Sequence, residues 1–177
     1  MEIRRIGRED RDALTLKNDP FSMPGRLIPR LEKGIWSYEI EYFPEERSMT
    51  FPDPGYDFDE LSRDCVIFAA YEDGLCVGFA IYQKAMFRYL YLSDLEVSGA
   101  YRRKGVGRAL LAAGKSLAKE LGYRGLSVIA QDNNLNACRF YLSNGFAVGG
   151  FDNRVYDGTS QAGKADIILY YEQEAAL

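Results

Sequence analysis

The residues whose order could do chemistry lie between Asp94 and Arg108. In "SDLEVSGAYRRKGVGRALL" two carboxylates, Asp94 and Glu96, precede three consecutive bases, Arg102, Arg103 and Lys104, and then two glycines, Gly105 and Gly107. Three owners compete for that order: a phosphate cradle, a nucleic-acid patch, and an ordinary basic loop leading into a helix. A strand ending near Val97, a loop of glycine and base, and a helix start together favour the cradle. The N–H groups of a first helical turn have no intrahelical acceptor, the helix dipole favours negative charge there, and glycine lets a ligand approach the backbone. No Lys-Ser or Lys-Thr follows the second glycine, and Leu110 stands where a dinucleotide fingerprint has its third small residue, so neither best-known nucleotide loop is present. The patch is short, lacks interleaved aromatics and sits in an acidic chain, which weighs against nucleic acid.

Proton transfer has few possible agents. The 177 residues include no histidine, which removes Ser/His and Cys/His catalysis and the commonest metal sites. Cys65, Cys76 and Cys138 lie far apart with no CxxC pair, which reads as buried thiols in a reducing compartment without disulfides or bound metal. On a strand, Asp94 and Glu96 project to one face, which makes them candidates for a general base, Glu96 first, or for a surface that only attracts a cation. A formal charge of -4 and a pI near 5.0 argue against a protein that coats nucleic acid. There is no long apolar run and the N-terminus "MEIRRIGRED" is charged, so a single cytoplasmic domain over residues 1–177, without membrane contact, is expected.

The elements that must position these residues follow from local signals. "EIRRI" reads as a first strand and "GREDRDALTLKN" as a short helix stopping before Pro20. From Phe21 the chain reads as irregular, with strand-like alternation around Ile35 to Phe43. Pro44 to Asp64 reads as an acidic loop, seven acids against two bases, interleaved with Phe51, Tyr56 and Phe58; it is a solvated face or a negative wall for a cationic amine. "CVIFAAYEDGLCVGFAIYQK" predicts two strands turning at Asp73-Gly74, and "RYLYLSDLEV" a third. Val106, Leu110, Ala113, Leu117 and Leu121 form a helical stripe that Gly122 ends. "GLSVIAQ" predicts a strand, "DNNLNACRFYLSNG" a capped helix ending at Gly145, and "FAVGGF" and "ADIILYYEQ" the closing strands.

The stretch from Leu92 to Gly122 resembles the acetyl-CoA signature of the GNAT superfamily of N-acyltransferases, whose pattern of Arg or Gln, two residues, Gly, one residue, Gly or Ala is filled by Arg102, Gly105 and Gly107. "AQDNNLNACRFYLSNGF" is similar to the family's later block, with Asn134, Ala137, Tyr141, Gly145 and Phe146 in register. A narrower resemblance, carried by "GRLIPRLEKGIWSYEIEY", the acidic loop, "NNLNACRFYLSNGFAVGGFDNRVYDG" and "IILYYEQ", is to the streptothricin acetyltransferases.

The resemblance implies an α/β (α+β) fold: a mixed, mostly antiparallel sheet of six to seven strands splayed at its centre, helices on both faces, and an acetyl-CoA-binding core over about residues 65–151. It implies acetyl-CoA as cosubstrate, no metal, and a primary amine, such as that of streptothricin, as acceptor. Leu95 and Val97 would offer backbone to the pantetheine arm, their side chains in the core. The amides of Arg103, Lys104, Gly105, Val106, Gly107 and Arg108 would hold the pyrophosphate. Asn134 would contact the pantetheine or only cap its helix, and Tyr141 would be the acid toward the departing thiolate. The partners implied are acetyl-CoA and the amine, with the chain a monomer or homodimer. Acetylation of a protein N-terminus or lysine is the alternative reaction, and a non-catalytic acyl-CoA-binding regulator the alternative class.

Overall fold

A computed structural model describes residues 1–85 and 88–173. In chain order its elements are β1 (Glu2–Arg5), a 3₁₀ helix (Arg8–Thr15), β2 (Phe21–Glu32), β3 (Ile35–Met49), α1 (Phe58–Leu61), β4 (Cys65–Glu72), β5 (Leu75–Gln83), β6 (Tyr89–Val97), a second 3₁₀ helix (Gly99–Tyr101), α2 (Val106–Glu120), β7 (Gly125–Gln131), α3 (Leu135–Ser143), β8 (Ala147–Asp152) and β9 (Asp166–Glu172). Seven strands form one sheet in the order β1-β4-β5-β6-β7-β9-β8, and β2 and β3 pair separately. The β1/β4, β4/β5, β5/β6 and β8/β9 pairs are antiparallel, so the seven-stranded sheet is the mostly antiparallel one expected. The described residues divide into two compact units, one of Met1–Pro20, Thr50–Leu126 and Gln173, the other of Phe21–Met49 and Ser127–Glu172.

In the first unit the β4–β5 turn falls at Asp73 and Gly74, both with positive φ, the conformation a two-residue hairpin needs. Val77 to Tyr82 of β5 are wholly or almost wholly buried on both faces. One face packs on Ile6, Ala13, Leu14, Ile67 and Ala69 with Phe79 and Ile81, and Tyr56, Phe58 and Leu61 of the acidic segment lean on the same cluster. The other face meets α2, where Gly114 leaves room for the Tyr82 ring and the Tyr82 hydroxyl donates to the Leu110 carbonyl at 2.9 Å. Gly122, at φ +74, ends α2 as expected.

The short helix expected after β1 is a 3₁₀ helix that stops before Pro20, with only Ala13 and Leu14 buried and no side-chain cap from Gly7. Three expectations need correction. The stretch from Phe21 is not irregular but a long hairpin, turning at Lys33 and Gly34 (φ 50° and 80°), and the start of the acidic segment, Pro44 to Met49, belongs to its second strand. Pro24 stands where the β2/β3 register shifts. Pro29 is tolerated because the Leu27 N–H, two residues earlier on the same edge, points away from β3 and donates to the Asp132 carbonyl at 3.0 Å. Third, Cys138 is buried but Cys65 and Cys76 are only half-buried. Among the described residues no helix is long and apolar enough to cross a membrane.

Candidate active site

The carboxylate pair is set by a bulge in β6. Tyr82 stands opposite Leu92 and Ile81 opposite Asp94, so Ser93 is an extra residue in the ladder. Cross-strand partners share a face and neighbours alternate, so the bulge turns Asp94 and Glu96 to the side of Ile81 and Phe79, opposite the side that Leu92 shares with Tyr82. Leu95 and Val97 then pair with Ala80 and Gly78. Their side chains are half-buried rather than core, since they lie beside the small residues Ala80 and Gly78 near the strand end.

That placement puts two acids against an apolar cluster. Glu96 is 6% exposed and its Oε1 has no hydrogen-bond partner among the described residues. Burial, followed by the like charges of Asp94, Asp19 and Asp53, pushes its carboxyl up to about 7, with Arg102 opposing. Asp94 is raised by burial too, but hydrogen bonds from the Tyr56 hydroxyl, at 2.8 Å, and from the Leu95 N–H work against that. The two acids therefore differ: Asp94 has partners for its charge, and Glu96 holds a proton near neutrality. The Tyr56 hydroxyl is itself raised by burial and by the Asp94 charge.

The glycine loop follows. Arg103 and Gly105 both take the left-handed conformation, φ 61° and 90°, and Gly105 caps α2 without a side-chain acceptor. The first backbone bond into α2 at this end is from the Ala109 N–H to the Gly105 carbonyl, 3.0 Å. Nothing lies within 4 Å of where a Cβ on Gly105 would stand, and Arg103 and Arg108 are exposed. Gly78 keeps the helix start close to the strands, for a Cβ there would lie 2.7 Å from the Glu96 carbonyl oxygen and 3.2 Å from Val106 Cγ1.

Arg102 turns away from the loop's open face. Its Nε donates to the Val97 carbonyl at 3.1 Å, Nη1 to the Pro20 carbonyl at 2.6 Å and Nη2 to the Asp19 carbonyl at 2.9 Å. The Asp19 carboxylate accepts the Gly99 N–H at 2.6 Å. Lys104 lies over the Tyr101 ring, 5.0 Å from its centroid. Of the basic residues before the glycines, only Arg103 has its side chain in solvent with no such contact among the described residues.

Asn134 and Tyr141 belong to the second unit. Asn134 Oδ1 caps α3 by accepting the Ala137 N–H at 3.2 Å. Tyr141 is 7% exposed, with its ring 5.3 Å from Phe140 and 5.4 Å from Phe146. Gly145, at φ +89, ends α3 and lets the Phe146 N–H return to the Tyr141 carbonyl at 3.1 Å. The structure thus brings Asp94, Glu96 and the glycine loop together in the first unit, and Asn134 and Tyr141 together in the second. Tyr56 as partner of Asp94, and Asp19 as partner of the loop, carry no local sequence signal.

Comparison with known proteins identifies the family. Residues 33–146 match the model of the acetyltransferase (GNAT) family. Streptothricin acetyltransferase A of Bacillus subtilis is 33% identical over 156 residues, 88% of this chain and 90% of that protein. A provisionally named streptothricin acetyltransferase of Bacillus anthracis, solved in complex with acetyl coenzyme A, superposes with a TM-score of 0.88 at 30% identity, covering 97% of this chain and 99% of the other. Nourseothricin acetyltransferase superposes with a TM-score of 0.80 at 25% identity, covering 97% of each chain.

Proposed function

The chain is a GNAT acetyltransferase, and from that premise we propose that it moves acetyl from acetyl-CoA directly to a primary amine of a small cationic acceptor, streptothricin first. The observation that carries the mechanism is the buried Glu96 carboxylate, one oxygen unpartnered among the described residues, three residues beyond Ser93, the extra residue of β6. The acceptor rests on the relatives' names and on the like charges of Asp19, Asp53 and Asp94 acting on Glu96, where the opposing Arg102 is committed to three carbonyls. We read residues 1–177 as one catalytic domain, because the family match takes in parts of both units.

The residues present fit acetyl-CoA. The open first turn of α2, with Gly105 bare and Arg103 and Arg108 exposed, suits a pyrophosphate held by the amides from Arg103 to Arg108. The β6 backbone at Leu95 and Val97 suits the pantetheine arm as an added strand.

Bound acetyl-CoA supplies the thioester carbonyl carbon. The acceptor arrives as an ammonium with a pKa of about 10.4, and must lose a proton before its nitrogen can attack. Transfer to an ordinary carboxylate at 4.5 would be uphill by about 8 kcal/mol; transfer to Glu96 at about 7 is uphill by about 4.6 kcal/mol. Asp94, ionised, holds the cation meanwhile. The nitrogen lone pair forms the C–N bond as the C–S bond breaks, a β6 N–H supports the carbonyl oxygen, and Tyr141 gives the departing sulfur its proton. The nitrogen then loses its second proton, which restores Tyr141 through water, and the proton on Glu96 passes to solvent. The sum is amide, free thiol and one released proton.

A thiol-release assay with acetyl-CoA against streptothricin, polyamines, aminoglycosides and short peptides tests this. Turnover should be greatest with streptothricin. Turnover on peptides alone would replace the acceptor, and tight acetyl-CoA binding without turnover on any amine would remove the enzymatic reading.

A further inference from the structure

Tyr56 belongs to the segment that reads from sequence as an acidic surface loop, yet it reaches 38 residues along the chain to donate to Asp94 at 2.8 Å. Its ring packs edge-on against Phe79, centroids 6.1 Å apart at 84°, and Phe79 is the cross-strand partner of Glu96. One side chain thus touches Asp94 and the neighbour of Glu96 at once. Its segment is anchored on either side, by Asn18 Nδ2 donating to the Pro52 carbonyl at 3.1 Å and by Phe58 and Leu61 in the apolar cluster.

We propose that Tyr56 is a positioning residue that makes two chemically equivalent carboxylates unequal: its hydroxyl fixes Asp94 as the anion that holds the acceptor's ammonium, leaving Glu96 to take the proton. This rests on the acetyl-transfer reading above. Asp94 has two neutral donors on it, the Tyr56 hydroxyl and the Leu95 N–H of its own strand, and Glu96 Oε1 has none among the described residues. A hydroxyl donating to a carboxylate favours its charged form, so the proton the pair retains goes to the member without the donor. Among the side chains that act on the pair, Tyr56 is the discriminating one. Asp19, before β2, Asp53, on the acidic segment, and the Cys76 thiol of β5 make no hydrogen bond to either carboxylate among the described residues, and Arg102 is held by carbonyls. Tyr56 also carries Asp53 on its own segment, so the contact that orients Asp94 also fixes the negative wall against which a cationic acceptor would lie.

The test is a double-mutant cycle on the full chain with streptothricin as acceptor. Tyr56→Phe keeps the ring on Phe79 and removes only the hydroxyl. It should lower kcat roughly 5- to 50-fold with the KM for acetyl-CoA within about twofold, and in an Asp94→Asn background should cost less than about twofold more. An undiminished kcat, or the same loss in both backgrounds, overturns the proposal. Carboxyl-carbon NMR titration of the wild-type enzyme asks the question without a variant: Glu96 should lose its proton last, and the reverse order overturns it. Glu96→Gln separates the two levels. Full activity in that variant defeats the base assignment itself, whereas an inactive Glu96→Gln with an additive Tyr56/Asp94 cycle defeats the role of Tyr56 alone.

Discussion

Arg102 Nε donates to the Val97 carbonyl at 3.1 Å, so the arginine of the glycine signature closes the end of β6. Its other two nitrogens hold the Asp19 and Pro20 carbonyls. A planar fork reaches three acceptors in this way and an ammonium does not. Arg102→Lys should therefore lower stability by about 2 kcal/mol, seen as a Tm fall of roughly 4–8 °C, and raise the KM for acetyl-CoA because the loop loses its brace. An unchanged Tm would show that water replaces the guanidinium there.

The role proposed for Glu96 gives the rate a pH dependence of definite sign. A base acts in its ionised form, so on that proposal kcat/KM should fall tenfold per pH unit below about 7, and Glu96→Gln should abolish that limb and lower the rate about 100- to 10,000-fold. Stability moves the other way. With its pKa raised in the folded state from 4.5 to about 7, Glu96 is better tolerated protonated, so its contribution worsens as pH rises through that window. Up to about 3 kcal/mol is involved at pH 8. Denaturant titrations should find Glu96→Gln more stable than the wild type at pH 8 and little different at pH 4; greater wild-type stability at pH 8 would contradict the shift.

Two glycines of the α2 region should respond oppositely to alanine. At Gly105 the added Cβ meets nothing, but φ +90° is strained for alanine, so folding should lose only about 1 kcal/mol while the KM for acetyl-CoA rises about tenfold. At Gly114 the Cβ would run into the Tyr82 ring, and the variant should lose about 3 kcal/mol or more, or fail to fold. Circular dichroism melts and cofactor titrations distinguish the two.

Tyr141→Phe should lower kcat about 10- to 1000-fold with acetyl-CoA affinity unchanged, since the ring contacts with Phe140 and Phe146 survive. Stopped-flow measurement of thiol release reads the step directly. A rate equal to the wild type would leave Tyr141 only its packing role.

Much of this fold is written in local chemistry. Asp73-Gly74 announces the β4–β5 turn, the stripe from Val106 to Leu117 announces α2, and Asn134 and Gly145 bracket α3, each through a preference felt within a few residues. The β2–β3 hairpin is hidden because Pro24 and Pro29 argue against a strand, and only the tertiary neighbour at Asp132 shows why Pro29 is harmless. Alternation of residues reads Leu90, Leu92, Asp94 and Glu96 as one face; the register around Ser93 divides them. The pair of acids was thus legible, and their surroundings were not. Tyr56 and Asp19 reach the site over 38 and 80 residues of chain, distances at which no spacing rule operates.

Pro29 also bears on solubility. Leu31, Ile35 and Tyr42 of the hairpin are 55%, 72% and 62% exposed, and a long strand edge beside such residues invites another chain to add on. On the outer edge of β2 one N–H, that of Leu27, is already taken, and the next position is an imino acid with no hydrogen to offer. The residue that obscures the strand in the sequence is the one that keeps it from growing: an incoming β-strand finds a broken ladder, and the hairpin can display its aromatic and aliphatic side chains without seeding aggregation.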